Sequence, residues 1–384
     1  MTNLIAAVVL AMVTPALPAE AAPPRELPRR LYLGPYESDV TLGGTAGLKA
    51  LIERVRPYGM NAAALGTRAE AREFFDVAER EAFYLIFKAT YDLDRRWWND
   101  AVPDTARAAA AAADVITAVS TPYLIGYDLR DEPSLEDERK LCRIVDAVRT
   151  SDPGAAATAV LIGRGRGDLL FERCRPDTLY LDVYPFLETS ELGDFSMRAF
   201  GYADLDFVEY IRDFTRRAHP DTPLWVILQT HGTDWPAYDL RAPSPAELRA
   251  MQWLALGEGA TGIFYFHWGS MQTWVGLEDN PELFREAARF SRAVRPLERL
   301  IVAWRKQPDR FAATEAYVST LQDTRDGTLY ALVVNREVTS ARKVRLNAPW
   351  PGVFTELGTG ARYRPGMAMV LGPGAGKILR FSRE

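Results

Sequence analysis

From Arg30 onward, short apolar runs rich in β-branched and aromatic residues alternate with amphipathic segments, eight times in succession. RLYLGPY precedes AGLKALIERVRPYG, NAAALG precedes AEAREFFDVAEREA, and FYLIFKATYD precedes DTARAAAAAADVITAVS. YLIGYDLRDEP precedes LEDERKLCRIVDAVRTSDP, AAATAVLIG precedes RGDLLFERCRP, and TLYLDVYPF precedes DLDFVEYIRDFTRRAHP. PLWVILQTHG precedes SPAELRAMQWLALGEG, and ATGIFYFHWGS precedes PELFREAARFSRAVRPLERL. The first member of each pair reads as a buried strand. The second carries an apolar stripe at helical spacing. Eight consecutive βα units predict an α/β chain whose strands close into a (β/α)8 TIM barrel, placed at residues 29–305. The rival, a doubly wound open sheet, calls for a glycine-rich phosphate turn after an early strand, and the first βα turn has none. GRGRG at Gly163–Gly167 lacks the Lys-Ser/Thr of a P-loop and reads as a flexible basic loop. The alanine run Ala108–Ala113 reads as plain outer helix.

The pattern changes near Phe311. EAYVSTLQDTRDGTLYALVVNRE alternates with period two across an Asp326-Gly327 turn, and further short strands follow. Residues 312–384 are therefore expected to form a small antiparallel β-sandwich packed on the barrel. At the other end, LIAAVVLAMVTPALP followed by AEAAPP reads as an export signal over residues 1–21, cleaved near Ala21. That implies a periplasmic or extracellular protein. The apolar core of this segment is short for a bilayer span. The chain has two cysteines, Cys142 and Cys174. In an exported protein they either pair, tying the fourth and fifth helical units together, or stay as two buried thiols. A net charge of −5 and the lack of any basic run argue against a nucleic-acid partner.

In such barrels the active site lies at the C-terminal ends of the strands. Strict alternation on the fourth strand puts Gly126, Asp128, Arg130 and Glu132 on one face. Glu132 then stands at the rim, Asp128 and Arg130 lie deeper as partners, and Asp131 points the other way. The third strand offers Lys88, with Tyr91 and Asp92 beyond it. The sixth offers Asp182 and Tyr184, the seventh Gln229 and His231, and the eighth Tyr265 and His267, with Trp268 beside them. Two of the three histidines thus fall at strand ends. A lone strand-end His or Asp is usually a satisfied polar residue or a helix cap. Convergence from several strands on one rim is the mark of a binding or active site. Trp97, Trp98, Trp235, Trp268 and Trp274 follow strands three, seven and eight, and aromatic rings of this kind pack against the C–H faces of sugars.

GYDLRDEP resembles the strand-four motif of clan A glycoside hydrolases, Gly-x-x-x-x-Asn-Glu-Pro. LDVYP at Leu181–Pro185 and GIFYFHWG at Gly262–Gly269 resemble strand ends of the same barrels, and YALVVNRE resembles the C-terminal β-domain that often follows them. The resemblance implies Glu132 as general acid/base. This chain departs from the pattern twice. Asp131 replaces the asparagine that contacts the sugar 2-hydroxyl in the clan. Strand seven ends in LQTHG, with Gln229 and His231 where the clan has its nucleophilic glutamate, and the next carboxylate is Asp234. Asp182 is the expected second carboxylate. Backbones roughly 10 Å apart, two strands removed, would leave room for a water between it and Glu132, as in inverting enzymes. Asp128, Asp234, Glu188, Glu191 and Glu278 are the alternatives. In this reading Asp128, Arg130, Asp131, Lys88, Tyr184, Gln229, His231, Tyr265, His267 and Trp268 bind substrate or tune the two acids, and no cofactor or metal takes part. The expected activity is hydrolysis of glycosidic bonds in an oligo- or polysaccharide. The competing classes are a carbohydrate-binding barrel without catalysis, motivated by the missing strand-seven carboxylate, and a metal-dependent hydrolase built on His231, His267, Asp182 and Glu132. The usual metal-binding histidine motifs are absent, which weighs against the last.

Overall fold

A computed structural model of the chain describes residues 27–37, 44–66, 72–88, 110, 119, 121–198, 202–233, 239–270 and 274–384. The expected signal at residues 1–21 lies outside them, as do Tyr91, Asp92, Trp97, Trp98, Asp234 and Trp235 and most of the alanine run. Eight parallel strands close into the barrel: β1 (Tyr32–Glu37), β2 (Ala62–Leu65), β3 (Tyr84–Lys88), β4 (Leu124–Asp131), β5 (Ala156–Leu161), β6 (Leu179–Val183), β7 (Leu224–Gln229) and β8 (Ala260–Phe266). β8 pairs with β1, which closes the ring. The described helices around it are α1 (Gly44–Val55), α2 (Arg72–Arg80), α3 (Glu138–Ser151), α4 (Asp168–Cys174), α5 (Phe207–Thr215), α6 (Pro245–Gly257), α7 (Pro281–Val294) and the short α8 (Glu298–Ile301). Their starts carry local signals. Ser244 and Glu247 form a reciprocal capping box with Pro245 at the first helical position of α6, and Asn280 caps α7 ahead of Pro281.

Alternation along each strand sorts side chains between two cores. Leu33, Ala63, Leu85, Leu181, Val226 and Ile263 face outward against the helices. Tyr32, Tyr36, Ala62, Ala64, Ile86, Ala156, Val160, Tyr180, Trp225, Ile227 and Phe264 fill the barrel interior. Trp225 sets the size of that interior. It meets Tyr32 and Tyr180 edge to face, at 5.7 and 5.8 Å between centroids. Its indole occupies space that glycines on β4 and β8 leave open. A Cβ on Gly262 would fall 2.5 Å from Trp225 Cδ1, and one on Gly126 3.2 Å from Cζ3.

The C-terminal domain is a sandwich of two antiparallel sheets. Six strands run in the order β9 (Trp304–Gln307), β11 (Tyr317–Asp323), β12 (Leu329–Val334), β17 (Gly376–Arg383), β14 (Gly352–Glu356) and β15 (Arg362–Tyr363). Three more run β10 (Ala312–Ala313), β13 (Arg342–Asn347) and β16 (Ala368–Leu371). The larger sheet starts earlier than the expected boundary at 312, because Trp304–Gln307 pairs with Thr320–Asp323. β12 serves two cores. Leu329, Ala331 and Val333 face the sandwich interior, while Tyr330, Leu332 and Val334 join the core shared with the barrel helices. At the junction Glu258 is buried and held by Arg212 at 3.1 Å, by Lys306 and by the Tyr317 hydroxyl at 2.6 Å. A buried charge is tolerated when it is paired in this way.

Cys142 on α3 and Cys174 at the end of α4 form a disulfide, which decides between the two readings of this pair. It ties the fourth and fifth helical units together.

Substituting Gly262→Ala forces a methyl against Trp225, so stability is expected to fall by about 1–3 kcal/mol, the usual cost of overfilling a packed core. Urea denaturation with an unchanged slope and a lower midpoint would show it.

Candidate active site

The C-terminal mouth of the barrel gathers polar side chains that the interior below it excludes. Lys88 ends β3 fully buried, in register with Asp128 on β4. Its Nζ stands 3.9 Å from the centre of the Tyr36 ring, and its charge opposes the rise that burial imposes on Asp128. The Tyr36 hydroxyl donates to Asp128 Oδ2 at 3.2 Å. Burial is the larger influence, so the Asp128 carboxyl is pushed up to about 7.

Above Asp128, β4 does not keep strict alternation. Asp128 pairs with Thr158 and Asp131 with Val160, three residues on β4 against two on β5. The extra residue is a β-bulge, and it reverses the expected faces beyond it. Val160 faces the interior, so its partner Asp131 turns inward with it. Its negative charge acts on Tyr36, Asp128, Tyr180 and Asp182 across the mouth. Arg130 is displaced from the set expected of it: its Nε lies 4.0 Å from Asp137, on the side of the helix start. The expectation that Arg130 holds Asp128 and that Asp131 points away is thereby corrected. Lys88 and Tyr36 take the place of Arg130.

Glu132 follows with φ +45°, a left-handed conformation that few residues other than glycine adopt. Its N–H bonds Val160 O at 3.1 Å. The turn sends its carboxyl back over the mouth beside Asp131, so two consecutive acids serve one site. Burial, then the Asp131 charge, pushes the Glu132 carboxyl up to about 7, against Arg166 4.0 Å away. The Asp182 carboxyl also lies close enough to act on Glu132. Asp182 is buried on β6, accepts from the Tyr184 hydroxyl at 2.8 Å, and is driven well above the carboxylate range by burial and by the Asp131 and Glu132 charges. Two buried carboxyls that act on one another each favour the protonated form.

The opposite wall is aromatic and neutral. Phe266 ends β8 facing inward, stacked on Tyr184 with the rings 5.7 Å apart and 18° from parallel. His231 is buried beyond β7, its Nδ1 2.9 Å from Phe266 O. A carbonyl only accepts, so Nδ1 carries the hydrogen and Nε2 the lone pair. Trp274, half-buried, lies over His231 at 4.9 Å and 13°. Burial lowers His231 to about 3 and His267 to about 4, so both are neutral at physiological pH. His267 is fully buried, 5.3 Å from Trp274 between ring centres.

Three expected binding residues face elsewhere. Because Gly262 and Phe264 take the inner face around Trp225, Tyr265 must face outward, and its hydroxyl accepts from Gln252 on α6 at 3.1 Å. Trp268 packs outside the barrel under Arg54 and against Phe284. Gln229 is spent on backbone: it accepts from Phe186 N–H and donates to the carbonyls of Phe186, His231 and Arg241. It fastens the loops after β6 and β7 instead of presenting an amide to a ligand. Among the loop acids, Glu188 and Glu191 are exposed and Glu278 pairs with Arg54. Sequence reasoning missed Tyr36, Phe266 and Arg166. Tyr36 was legible as the top of the Tyr32-Gly34-Tyr36 alternation, and Arg166 lies in the GRGRG loop. Among the described residues no cluster of His, Cys, Asp and Glu forms a metal-holding set.

Replacing Glu132 by Gln, or Asp182 by Asn, removes an acid whose folded-state pKa is raised. Such an acid costs stability as pH climbs from its unfolded value through its folded one. Each variant is therefore expected to melt higher than the parent at pH 8, by roughly 2–4 °C, a shift worth about 1 kcal/mol in a large chain. The gap should close near pH 4. Calorimetry at both pH values tests this.

Comparisons with known proteins follow this geometry. A family model described as glycoside hydrolase 42, β-galactosidase, matches residues 171–304. No curated protein matches the chain by sequence. Among solved structures, a putative α-galactosidase from Bacteroides fragilis shares 13% identity over 92% of this chain and 79% of its own, with a TM-score of 0.56. A debranching enzyme from Nostoc punctiforme shares 12% over 93% and 97%, with a TM-score of 0.55. A β-galactosidase from the psychrophile Marinomonas ef1 shares 13% over 69% of this chain and 59% of its own, with a TM-score of 0.50. The matched segment resembles that glycoside hydrolase family, and the solved structures share with this chain the (β/α)8 barrel fold.

Proposed function

We propose that the chain is exported and cleaves glycosidic bonds in an oligo- or polysaccharide with Glu132 as the proton donor. The observation that carries this reading is the setting of Glu132: an acid at the mouth, at the end of strand four, with its pKa brought close to neutrality by burial and the Asp131 charge. An acid poised there still holds its proton at the pH where its conjugate base can later take one back from water. Asp182, itself accepting from the Tyr184 hydroxyl, tunes the Glu132 carboxyl. In this role Asp182 acts through Glu132 as a positioning residue. Trp274, braced by His231, offers a flat face across the mouth on which a sugar ring can lie. Export is supported by the apolar leader with its small-residue cleavage site and by the Cys142–Cys174 disulfide, since such bonds persist in oxidising compartments.

The competing reading is a carbohydrate-binding barrel without turnover, favoured by the neutral residues at the end of strand seven. Sugar release from a panel of polysaccharides and aryl glycosides separates the two. Hydrolysis is expected, with kcat/KM falling as pH rises through about 7 as Glu132 loses its proton. Glu132→Gln should lower kcat on poor leaving groups by about 10²–10⁴-fold, the worth of general acid catalysis, while glycan binding persists. Tight binding with no product from any glycan would establish the binding reading instead.

A further inference from the structure

The described carboxyls of the mouth all lie on one side of it. Asp128, Asp131 and Glu132 come from strand four, and Asp182 from strand six acts on Glu132 through its charge. The other side, from strands seven and eight, presents Gln229 with its amide taken up by backbone, neutral His231, Phe266 and Trp274. Glu37, at the end of strand one, follows the inward Tyr36 on the opposite face and accepts from Gly269 N–H at 2.7 Å. A glycosidase with a nucleophilic carboxylate needs it about 5–5.5 Å from the acid, and an inverting one needs a base at about 6.5–9.5 Å, in each case across the anomeric carbon. On the wall across from strand four, the described ends of strands seven and eight carry neutral side chains. What strand four offers is a second acid next to Glu132, turned inward by the bulge and partly open to the mouth.

Resting on the glycosidase reading above, we infer that the substrate supplies its own nucleophile: the sugar bound at Glu132 carries a 2-acetamido group, and Asp131 accepts a hydrogen bond from the N–H of that group. The substituents on C1 and C2 of a pyranose are neighbours, so an acid meeting the C1 oxygen and an acid meeting the C2 nitrogen must themselves be neighbours, as Asp131 and Glu132 are. In the first step the acetamido carbonyl oxygen bonds to C1 and the C1–O glycosidic bond breaks, while the Glu132 proton goes to the departing oxygen. The ring so formed carries positive charge on its O–C–N unit, which the Asp131 carboxylate stabilises through the N–H. In the second step water attacks C1 and gives a proton to Glu132, and the bond from C1 to the amide oxygen breaks, restoring the acetamide. The attack comes from the face opposite the leaving group, so the acetamido group and the scissile bond must be trans, and the product keeps the anomeric configuration of the substrate. The aromatic wall of Phe266, Tyr184 and Trp274 provides apolar surface for the sugar face and the acetyl methyl.

The test uses the full chain with 4-nitrophenyl 2-acetamido-2-deoxy-β-D-glucoside and its galacto epimer, beside the corresponding 2-hydroxyl glycosides. The acetamido compounds should be cleaved at least about 10²-fold faster, the advantage of a well-placed intramolecular group. Replacing the acetyl by mono-, di- and trifluoroacetyl groups weakens the carbonyl nucleophile stepwise, and kcat/KM should fall by about tenfold or more across the series. Asp131→Asn should lower kcat by about 10²–10³-fold with KM changed far less, as for removal of a group aimed at developing charge. The fluorinated series needs only wild-type protein, so it decides the matter even if that variant folds poorly. Equal cleavage of the 2-hydroxyl glycosides, with a 2-deoxy-2-fluoro glycoside labelling a carboxylate by mass spectrometry, would overturn the inference and leave the glycosidase reading intact. Failure to cleave any glycoside in the wider panel would remove both.

Discussion

One added residue on the fourth barrel strand decides what the mouth of this protein contains. Between Asp128 and Asp131 the strand gains a residue against its neighbour, and every side chain beyond that point changes face. Without the bulge, Arg130 would enter the mouth beside Asp128 and Asp131 would leave it. With it, the mouth loses a cation and gains an anion. The left-handed turn at Glu132 then brings a second acid back over the same site. The raised affinities of Asp128, Glu132 and Asp182 for protons all include the Asp131 charge, after burial itself. The bulge thus sets the electrostatics of the site as well as its geometry.

The acids are held by a scaffold of apparent plainness. Trp225 fills the space left by Gly126 and Gly262, which fixes the parity of strand eight and so puts Phe266, not Tyr265, at the mouth. Gln229 spends its whole amide on fastening two loops, and His231 is fixed between Phe266 O and the face of Trp274. The aromatic side comes mainly from strands seven and eight, and the acidic side from strands four and six, with Tyr184 of strand six facing both. A ring lying between them would meet a flat apolar surface on one face and hydrogen-bonding groups on the other.

The barrel was legible because period-two and period-3.6 patterns alternate through the whole segment, and these depend on local spacing alone. Glu132 at a strand end was legible for the same reason. The roles of Arg130 and Asp131 were not, because nothing in LRDEP marks an inserted residue: a bulge is read from the pairing partner, Val160, which lies on another strand. The parity of strand eight was hidden likewise, since GIFYFHWG is apolar on both faces and only the seat of Trp225 distinguishes them. Asp182 falls on the inner face of strand six between Tyr180 and Tyr184, while the direction of the Glu132 side chain depends on the backbone turn at residue 132, which spacing along a strand does not contain.

Strand Leu329–Val334 lends one face to each of two cores, and Glu258 of the barrel is neutralised in part by Lys306 and Tyr317 from beyond it. A recombination event that severed the chain near residue 303 would leave the barrel with an uncovered apolar row and Glu258 with Arg212 as its remaining partner among those named above, and the sandwich with a half-stripped sheet. Each module therefore completes the cover of the other. Lineages that shuffle this barrel onto other accessory domains would have to replace Tyr330, Leu332 and Val334 with an equivalent surface in the same step.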